Sequence, residues 1–371
     1  MTTQQTALAT AKKLQAIASQ AKKDFIERDD AIDAIVAAIV CGQHCIMLGG
    51  PGTAKSALIN YFATATGLGY FKTTMNPDLL RDDLVGPIDP QAFNKGVWDR
   101  VWTGLAVSTF SFIDETGQGN GTTLNMLVDA MEERETKTGS VVKKIPLTSM
   151  FGASNEHFEA ESPKVWDRFL VRVHVKSVTN DNFVGMLRAN IRNIPAMPIN
   201  QQDLETMIAV CRDMALNFPA SLEPLMRKLH RDFSTVSNAY ISDRRWQRIM
   251  QLAAAQALLE GCSEIKERHL KIARFALWSD PSEFETISEW LGQMTDKEER
   301  ERKEVGKKLA DLGKDIAAAQ MLTNGSKQQK ILEINVRVDK LLLDLRGKSG
   351  GEWSTMTETA KAIKDQVVAN F

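Results

Sequence analysis

Residues 49–56 read GGPGTAKS, directly after the short apolar run HCIML at 44–48. A phosphate-binding loop requires G-x-x-x-x-G-K-[S/T], because exposed backbone N–H groups, a lysine and a hydroxyl must converge on phosphate oxygens. Gly49, Lys55 and Ser56 keep that register, whereas Ala54 stands where the pattern has its second glycine. The surroundings decide what the motif is worth. After the loop, KSALINYFATATG places Leu58, Tyr61, Phe62 and Ala65 at helical spacing until Gly67 ends the run, so a strand, a loop and a helix are predicted in that order. The helix would add its positive dipole end to the loop amides. Lys55 is then positioned for the β- and γ-phosphates and Ser56 for Mg²⁺. Ala54 is expected to be tolerated by sitting at the helix start with negative φ, where glycine is not needed. Gly49, Gly50, Pro51, Gly52, Thr53, Ala54, Lys55, Ser56 and Ala57 are the candidate nucleotide cradle.

A site of this kind needs a second strand that ends in acid. STFSFIDE at 108–115 has that form, closing on Asp114 and Glu115. Asp114 suits Mg²⁺ held through water, and Glu115 suits polarising an attacking water. The plain alternative is an ordinary strand ending in two solvated carboxylates. SMFGASNE at 149–156 reads as a third strand delivering Asn155, whose amide could orient water near the γ-phosphate. SPKVWDRFLVRVHV at 162–175 places Arg168 just before a further strand; an ion pair with Asp167 or a neighbouring carboxylate is its plain alternative.

Composition narrows the setting. The chain of 371 residues is long enough for two or three domains, with 43% hydrophobic and 25% charged residues and a formal net charge of -1. That balance gives no global reason to expect DNA or RNA as partner. No run of eighteen apolar residues is present, so no membrane insertion is expected. The opening MTTQQTALATAKKLQ lacks the apolar core of a signal peptide. Cys41, His44 and Cys45 cluster before the first strand, but no second ligand pair follows at zinc-like spacing, so buried thiols in a reducing cytoplasm are expected.

The ordered set GGPGTAKS, FIDE, ASNE and WDRF resembles the AAA+ ATPases, and within them the MoxR family of the helix-2-insert clade, in its RavA-like branch. DLVGPIDPQAFNKGVWDRVWTG at 83–104 looks like the β-α-β insertion of that clade. TKTGSVVKKIPL at 136–147 is similar to its hairpin, turning at Gly139. ISDRRWQRIMQLAAAQALLEG at 241–261 resembles the lid helix that carries the sensor-2 arginine. The resemblance covers roughly residues 5–280. It implies an α/β P-loop AAA+ core with a parallel sheet flanked by helices (1–178), an all-α lid (179–282) and a helical C-terminal extension (283–371).

Residue by residue, the resemblance makes Lys55 and Ser56 the Walker A pair, Asp114 and Glu115 the Walker B pair, and Asn155 sensor 1. It makes Arg168 the arginine finger serving a neighbouring subunit and Arg244 sensor 2, with Arg245 the adjacent alternative. A supplied arginine is worth on the order of 10³–10⁵ in rate. The resemblance further implies ATP and Mg²⁺, a hexameric ring, and a partner with a von Willebrand factor A domain. It would set residues near Phe25 to Arg28 beside the adenine.

From about residue 178 the pattern is helical. His230 and His269 read as surface or packing residues, and Trp246 and Trp278 as core. Beyond 283, a stripe of Val305, Leu309, Leu312, Ile316, Ile331, Ile334, Val338, Leu341 and Leu345 predicts an antiparallel helical hairpin turning at TNGS, 323–326, with MTETAKAIKDQVVANF at 356–371 as a closing helix. The small β-rich client-binding domain usual in RavA-like proteins has no counterpart there. The expected activity is remodelling of a partner protein by an ATP-driven ring. A nucleic-acid-translocating motor, with Lys137, Lys143 and Lys144 lining a pore, is the rival reading. An ATP-locked scaffold is a third, disfavoured because it has no use for Glu115, Asn155 and Arg168.

Overall fold

The computed structural model describes residues 2–138, 141–189, 194–319, 324–346, 348 and 351–369. They divide into two compact units, Met1–Leu291 and Gly292–Phe371.

The first unit opens with α1 (Thr3–Asp24), started by a capping box between Thr2 and Gln5. Next is α2 (Asp29–Cys41), buried along nearly its whole surface because it is apolar on every face. A sheet follows in the order β2-β3-β6-β1-β7, all pairs parallel. Its strands and the elements between them are β1 (Cys45–Leu48), α3 (Lys55–Thr66), β2 (Tyr70–Thr74), α4 (Arg81–Val85), α5 (Pro90–Phe93), β3 (Phe110–Asp114), α6 (Gly121–Glu132), β4 (Glu135–Thr138), β5 (Val141–Lys144), β6 (Ser149–Ser154), α7 (Pro163–Arg168) and β7 (Val171–His174). A parallel sheet covered on both faces needs strands that are apolar on both sides. β1 and β6 are buried at every residue for this reason.

The segment read as a β-α-β insertion is reduced to α5 and one isolated antiparallel bridge, Ile88 with Arg100. β4 and β5 form the expected hairpin; its turn at Gly139 lies outside the described residues.

Because the strands are parallel and aligned, with Cys45 level with Val171 and Leu48 with His174, the sheet has two chemically distinct edges. One is made of strand C-termini, the other of strand N-termini.

The unit continues through α8 (Asn180–Arg188), which buries none of its residues, α9 (Gln201–Leu216), α10 (Glu223–Asp232), α11 (Asp243–Leu259) and α12 (Phe284–Thr295). α9 packs on α1 and α11, and α11 on α2. Trp278 is fully buried, as read; Trp246 is half-buried, edge-on to Phe233 and His230.

The second unit holds α13 (Lys297–Ala319), α14 (Asn324–Asp344) and α15 (Gly351–Ala369). The stripe read from the sequence is its buried face, joined by Trp353, Ala360, Ile363 and Val367 from α15. The expected pair and closing helix pack on one another as three mutually contacting helices. Asn324, Gly325 and Ser326 open α14 instead of forming the turn, and Thr323 is outside the described residues.

Candidate active site

The loop leaves β1 at Leu48 and enters α3 at Lys55. Gly49 has φ +148, and a Cβ there would lie 2.3 Å from the Val175 carbonyl oxygen, so only glycine fits. Gly49 N–H donates to Ser154 O across the sheet at 3.1 Å. Ala54 corrects the expectation of negative φ: it is the N-cap of α3 at φ +69, in the left-handed region. The methyl there costs on the order of 1 kcal/mol relative to glycine, which the surrounding structure offsets. Thr53 Oγ donates to Gly50 O at 2.9 Å, and Arg28 Nε donates to Thr53 O at 3.1 Å. Two anchors therefore fix the loop conformation that Ala54 must accept.

Lys55 is buried, and its Nζ donates to Gly49 O (2.5 Å), Gly50 O (3.0 Å) and Asn155 Oδ1 (3.4 Å). Burial pushes its pKa down, while Asp114 and Glu115 push the other way. The ammonium thus spans the loop and the end of β6. Asn155 in turn donates Nδ2–H to Glu115 Oε1 at 2.7 Å, and Gln118 reaches the other Glu115 oxygen at 3.3 Å. Glu115 stands at φ +50, a strained backbone of the kind that gathers at functional sites. Asp114 ends β3 and accepts from its neighbour's backbone N–H. Lys55, Asp114, Glu115 and Asn155 are therefore brought together at the C-terminal edge of the sheet.

Beside the loop lies a cavity of about 350 Å³, lined by Glu27, Arg28, His174, Lys176, Thr179 and Phe284 among others. Glu27 has φ +54 and accepts hydrogen bonds from Thr179 and Asn182, which fasten the α1–α2 junction to the start of α8. Those bonds hold its carboxylate below the usual range. This latch was invisible in the sequence, since its ends are some 150 residues apart.

Arg168 and Arg244 lie elsewhere. Arg168 Nε is 2.7 Å from Glu132 Oε2 and its Nη1 is 3.6 Å from Asp167 Oδ2. Arg244 Nη1 is 3.1 Å from Glu132, and Nη2 pairs with Asp167. Arg248 Nη2 is 3.3 Å from Glu132, and Arg245 Nη2 is 3.2 Å from Asp167. Burial opposes the Asp167 carboxylate, but Arg245 and Arg244 outweigh it and hold its pKa down. The ion pair held open as the plain reading of Arg168 is thus present.

This cluster marks the N-terminal edge of the sheet. Arg134, two residues past α6, donates to Gly42 O just before β1, and Arg168 precedes β7. The structure also separates the two candidates on α11: Arg245 is 4% exposed, whereas Arg244 is 30% exposed. Arg248, one helical turn past Arg244, was missed; its i,i+4 spacing was the available signal.

No metal cluster is built from Cys41, His44 and Cys45. The Cys41 thiol donates to Ala37 O, and burial pushes its pKa up to about 12; burial raises that of Cys45 as well. His44 accepts from Met150 N–H through Nδ1 and faces Met131 O through Nε2. Glu260, Cys262 and His269 converge within 4.8 Å, but His269 Nδ1 accepts from Lys266 N–H, which leaves the proton on Nε2 facing Glu260. That nitrogen has no lone pair for a metal, and Arg268 already covers Glu260 and Cys262. His269 is a buried packing residue. Of the hairpin lysines, Lys137 pairs with Glu135 at 3.1 Å.

Residues 12–210 match the family described as the MoxR domain in the MoxR-vWA-beta-propeller ternary systems, and residues 221–291 match an AAA lid domain. The chain belongs to the MoxR family of AAA+ ATPases. Two uncharacterized proteins of Methanocaldococcus jannaschii are similar to this chain. One is 28% identical over 342 residues, covering 90% of this chain and 89% of the other; the second is 27% identical over 348 residues, covering 90% of each. Chaperone MoxR1 of Mycobacterium tuberculosis is 23% identical over 162 residues, 42% of each chain. The crystal structure of a candidate ATPase from Cytophaga hutchinsonii shares the fold with a TM-score of 0.60 at 19% identity, over 74% of this chain and 88% of that one. No described helix of this MoxR chain is long and apolar enough to cross a membrane.

Proposed function

We propose that this MoxR protein is a cytoplasmic, Mg²⁺-ATP-dependent ring ATPase that remodels a partner protein. We assign it to the RavA-like branch of the helix-2-insert clade, working as a hexamer on a partner with a von Willebrand factor A domain. Residues 1–178 bind nucleotide, 179–282 form the lid, and the helices beyond brace the ring or dock the partner. The observation that carries the reading is the separation of Lys55, Asp114, Glu115 and Asn155 from Arg168 and Arg244, which occupy opposite edges of one parallel sheet. Each chain carries the halves of two different sites, and a second copy is needed to complete either.

The residues fit the group they would hold. Gly49 admits no Cβ, the open loop glycines Gly50 and Gly52 leave backbone free to approach an anion, and Lys55 Nζ already lies along the loop. Ser56 and Asp114 would hold Mg²⁺, which when bound neutralises charge on the phosphate oxygens. Lys55 exchanges the Gly49 and Gly50 carbonyls for phosphate oxygens. Glu115 gives up the Asn155 amide and takes a proton from the water that attacks the γ-phosphorus; the bond to the ADP oxygen breaks as the new P–O bond forms. Asn155, released, orients that water. Arg28 and the cavity beside it receive the base. Arg168 and Arg244 of the adjacent copy meet the charge on the transferring phosphoryl group.

The test is turnover per subunit against protein concentration, with Lys55→Ala as the binding-dead control. Turnover should rise steeply as subunits assemble, and Lys55→Ala should bind no nucleotide. Turnover independent of concentration would sink the shared-site reading.

A further inference from the structure

We infer that Arg248 is a third arginine delivered to the nucleotide of the adjacent copy, and that Glu132 stands in for that nucleotide's terminal phosphate in the free subunit. The inference rests on the shared-site reading above and extends it to two residues that reading does not use. Three guanidinium groups, those of Arg168, Arg244 and Arg248, converge on the single Glu132 carboxylate at 2.7, 3.1 and 3.3 Å. Arg168 comes from the end of α7, while Arg244 and Arg248 stand one turn apart on α11. A carboxylate offers two oxygens, a terminal phosphate three and more charge. The arrangement is therefore better matched to a phosphate than to the group it holds.

Among the described residues the ion pairs of Arg168, Arg244, Arg245 and Arg248 go to Glu132 and Asp167, with Glu159 a further acid acting on Arg245, so guanidinium groups outnumber the carboxylates they face. Glu132 and Asp167 are not equivalent. Asp167 is gripped from the buried side by Arg245, whose Nε and Nη1 have no other hydrogen-bond partner among the described residues. Glu132 has no such anchor and sits on the last residue of α6. Glu132 is the carboxylate that yields to an incoming anion, leaving Asp167 to keep Arg244 aimed. The side chains of Arg168 and Arg248 are each 21% exposed and that of Arg244 30%, so all three are reachable from outside.

The experiment is complementation between full-length variants. Arg248→Ala alone should lose at least tenfold in ring turnover while binding ATP with unchanged affinity, and Arg248→Lys should recover part of the rate. Mixing Arg248→Ala with Lys55→Ala, which has intact arginines and no nucleotide, should restore turnover, because each supplies what the other lacks. Glu132→Gln should lower the protein concentration at which turnover appears. Arg168→Ala mixed with Lys55→Ala is the control. If that mixture recovers and the Arg248→Ala mixture does not, Arg248 acts within its own subunit and the inference fails while the ring reading stands. If neither recovers, both fail. Wild-type turnover in Arg248→Ala also overturns it, whatever Glu132→Gln does.

Discussion

At the edge where the strands of the sheet end, Lys55, Asp114 and Asn155 are each delivered directly by a strand terminus or the loop that follows it. At the edge where strands begin, Glu132, Asp167, Arg168, Arg244 and Arg248 come from α6, α7 and α11, and the last of these belongs to the lid. The first site is fixed by backbone conformation: two strained residues, Ala54 and Glu115, and a glycine that admits no substitute. The second is fixed by charge, with four guanidinium groups and two carboxylates holding lid to core. A site built on backbone conformation holds its loop in one shape while its side chains exchange partners. One built on exchangeable ion pairs can let go of one partner for another, as the shared-site proposal asks of Arg168 and Arg244.

The largest effect expected from this contrast is functional separation. Arg168→Ala should lower turnover by on the order of 10³–10⁵ while leaving ATP binding intact, since no backbone at the loop depends on it. Calorimetric ATP titration beside single-turnover hydrolysis would check this; a parallel loss of binding would mean the two edges are not independent.

A smaller effect is expected from acid at the arginine edge. His44 ties β6 and the end of α6 together just before β1, and burial holds its pKa well below the ordinary value. A second proton would have to enter on Nδ1, against the Met150 N–H. The folded state thus binds that proton less readily than the unfolded chain. The stability His44 contributes is full well above its unfolded pKa of about 6.5 and is lost progressively as pH drops through and below that value, until the folded group itself titrates. Urea midpoints between pH 7.5 and 5.5 should show this slope, and His44→Asn should flatten it; an unchanged slope would assign the acid sensitivity elsewhere.

The smallest effect tests the backbone side. Ala54→Gly removes about 1 kcal/mol of left-handed strain but frees the unfolded chain by about 0.4–1 kcal/mol. Net stability should move by less than about 1 kcal/mol, and ATP affinity should rise by less than about tenfold. Weaker binding in Ala54→Gly would show that the methyl makes a contact the loop needs.

The split between the edges also explains what could be read in advance. The convergence of Lys55, Asp114, Glu115 and Asn155 was legible because each sits at a fixed offset from an apolar run, and a strand end positions its next residue with little freedom. Ala54 was misjudged in conformation because sequence carries no φ; the bond from Arg28 to the Thr53 carbonyl, between residues 25 apart in the chain, helps decide it. The helical stripe of the second unit was legible down to its buried residues, since periodicity alone sets a helix face. Its third helix was not read as part of the same core, because packing partners are chosen by shape and not by spacing.

By itself the sequence determined the strand–loop–helix order at 44–67, its acid and amide neighbours, and the helical character of the described elements after the sheet. These follow from period, apolar runs and residue chemistry within a few residues of each other. Only the tertiary structure decided that Glu132, Asp167 and four arginines share one cluster, that Glu27 latches Thr179 and Asn182, and that the cluster lies at the opposite edge of the sheet from the loop at 49–56. Those outcomes depend on a parallel sheet giving every strand the same direction, and on where the lid helix comes to rest against it.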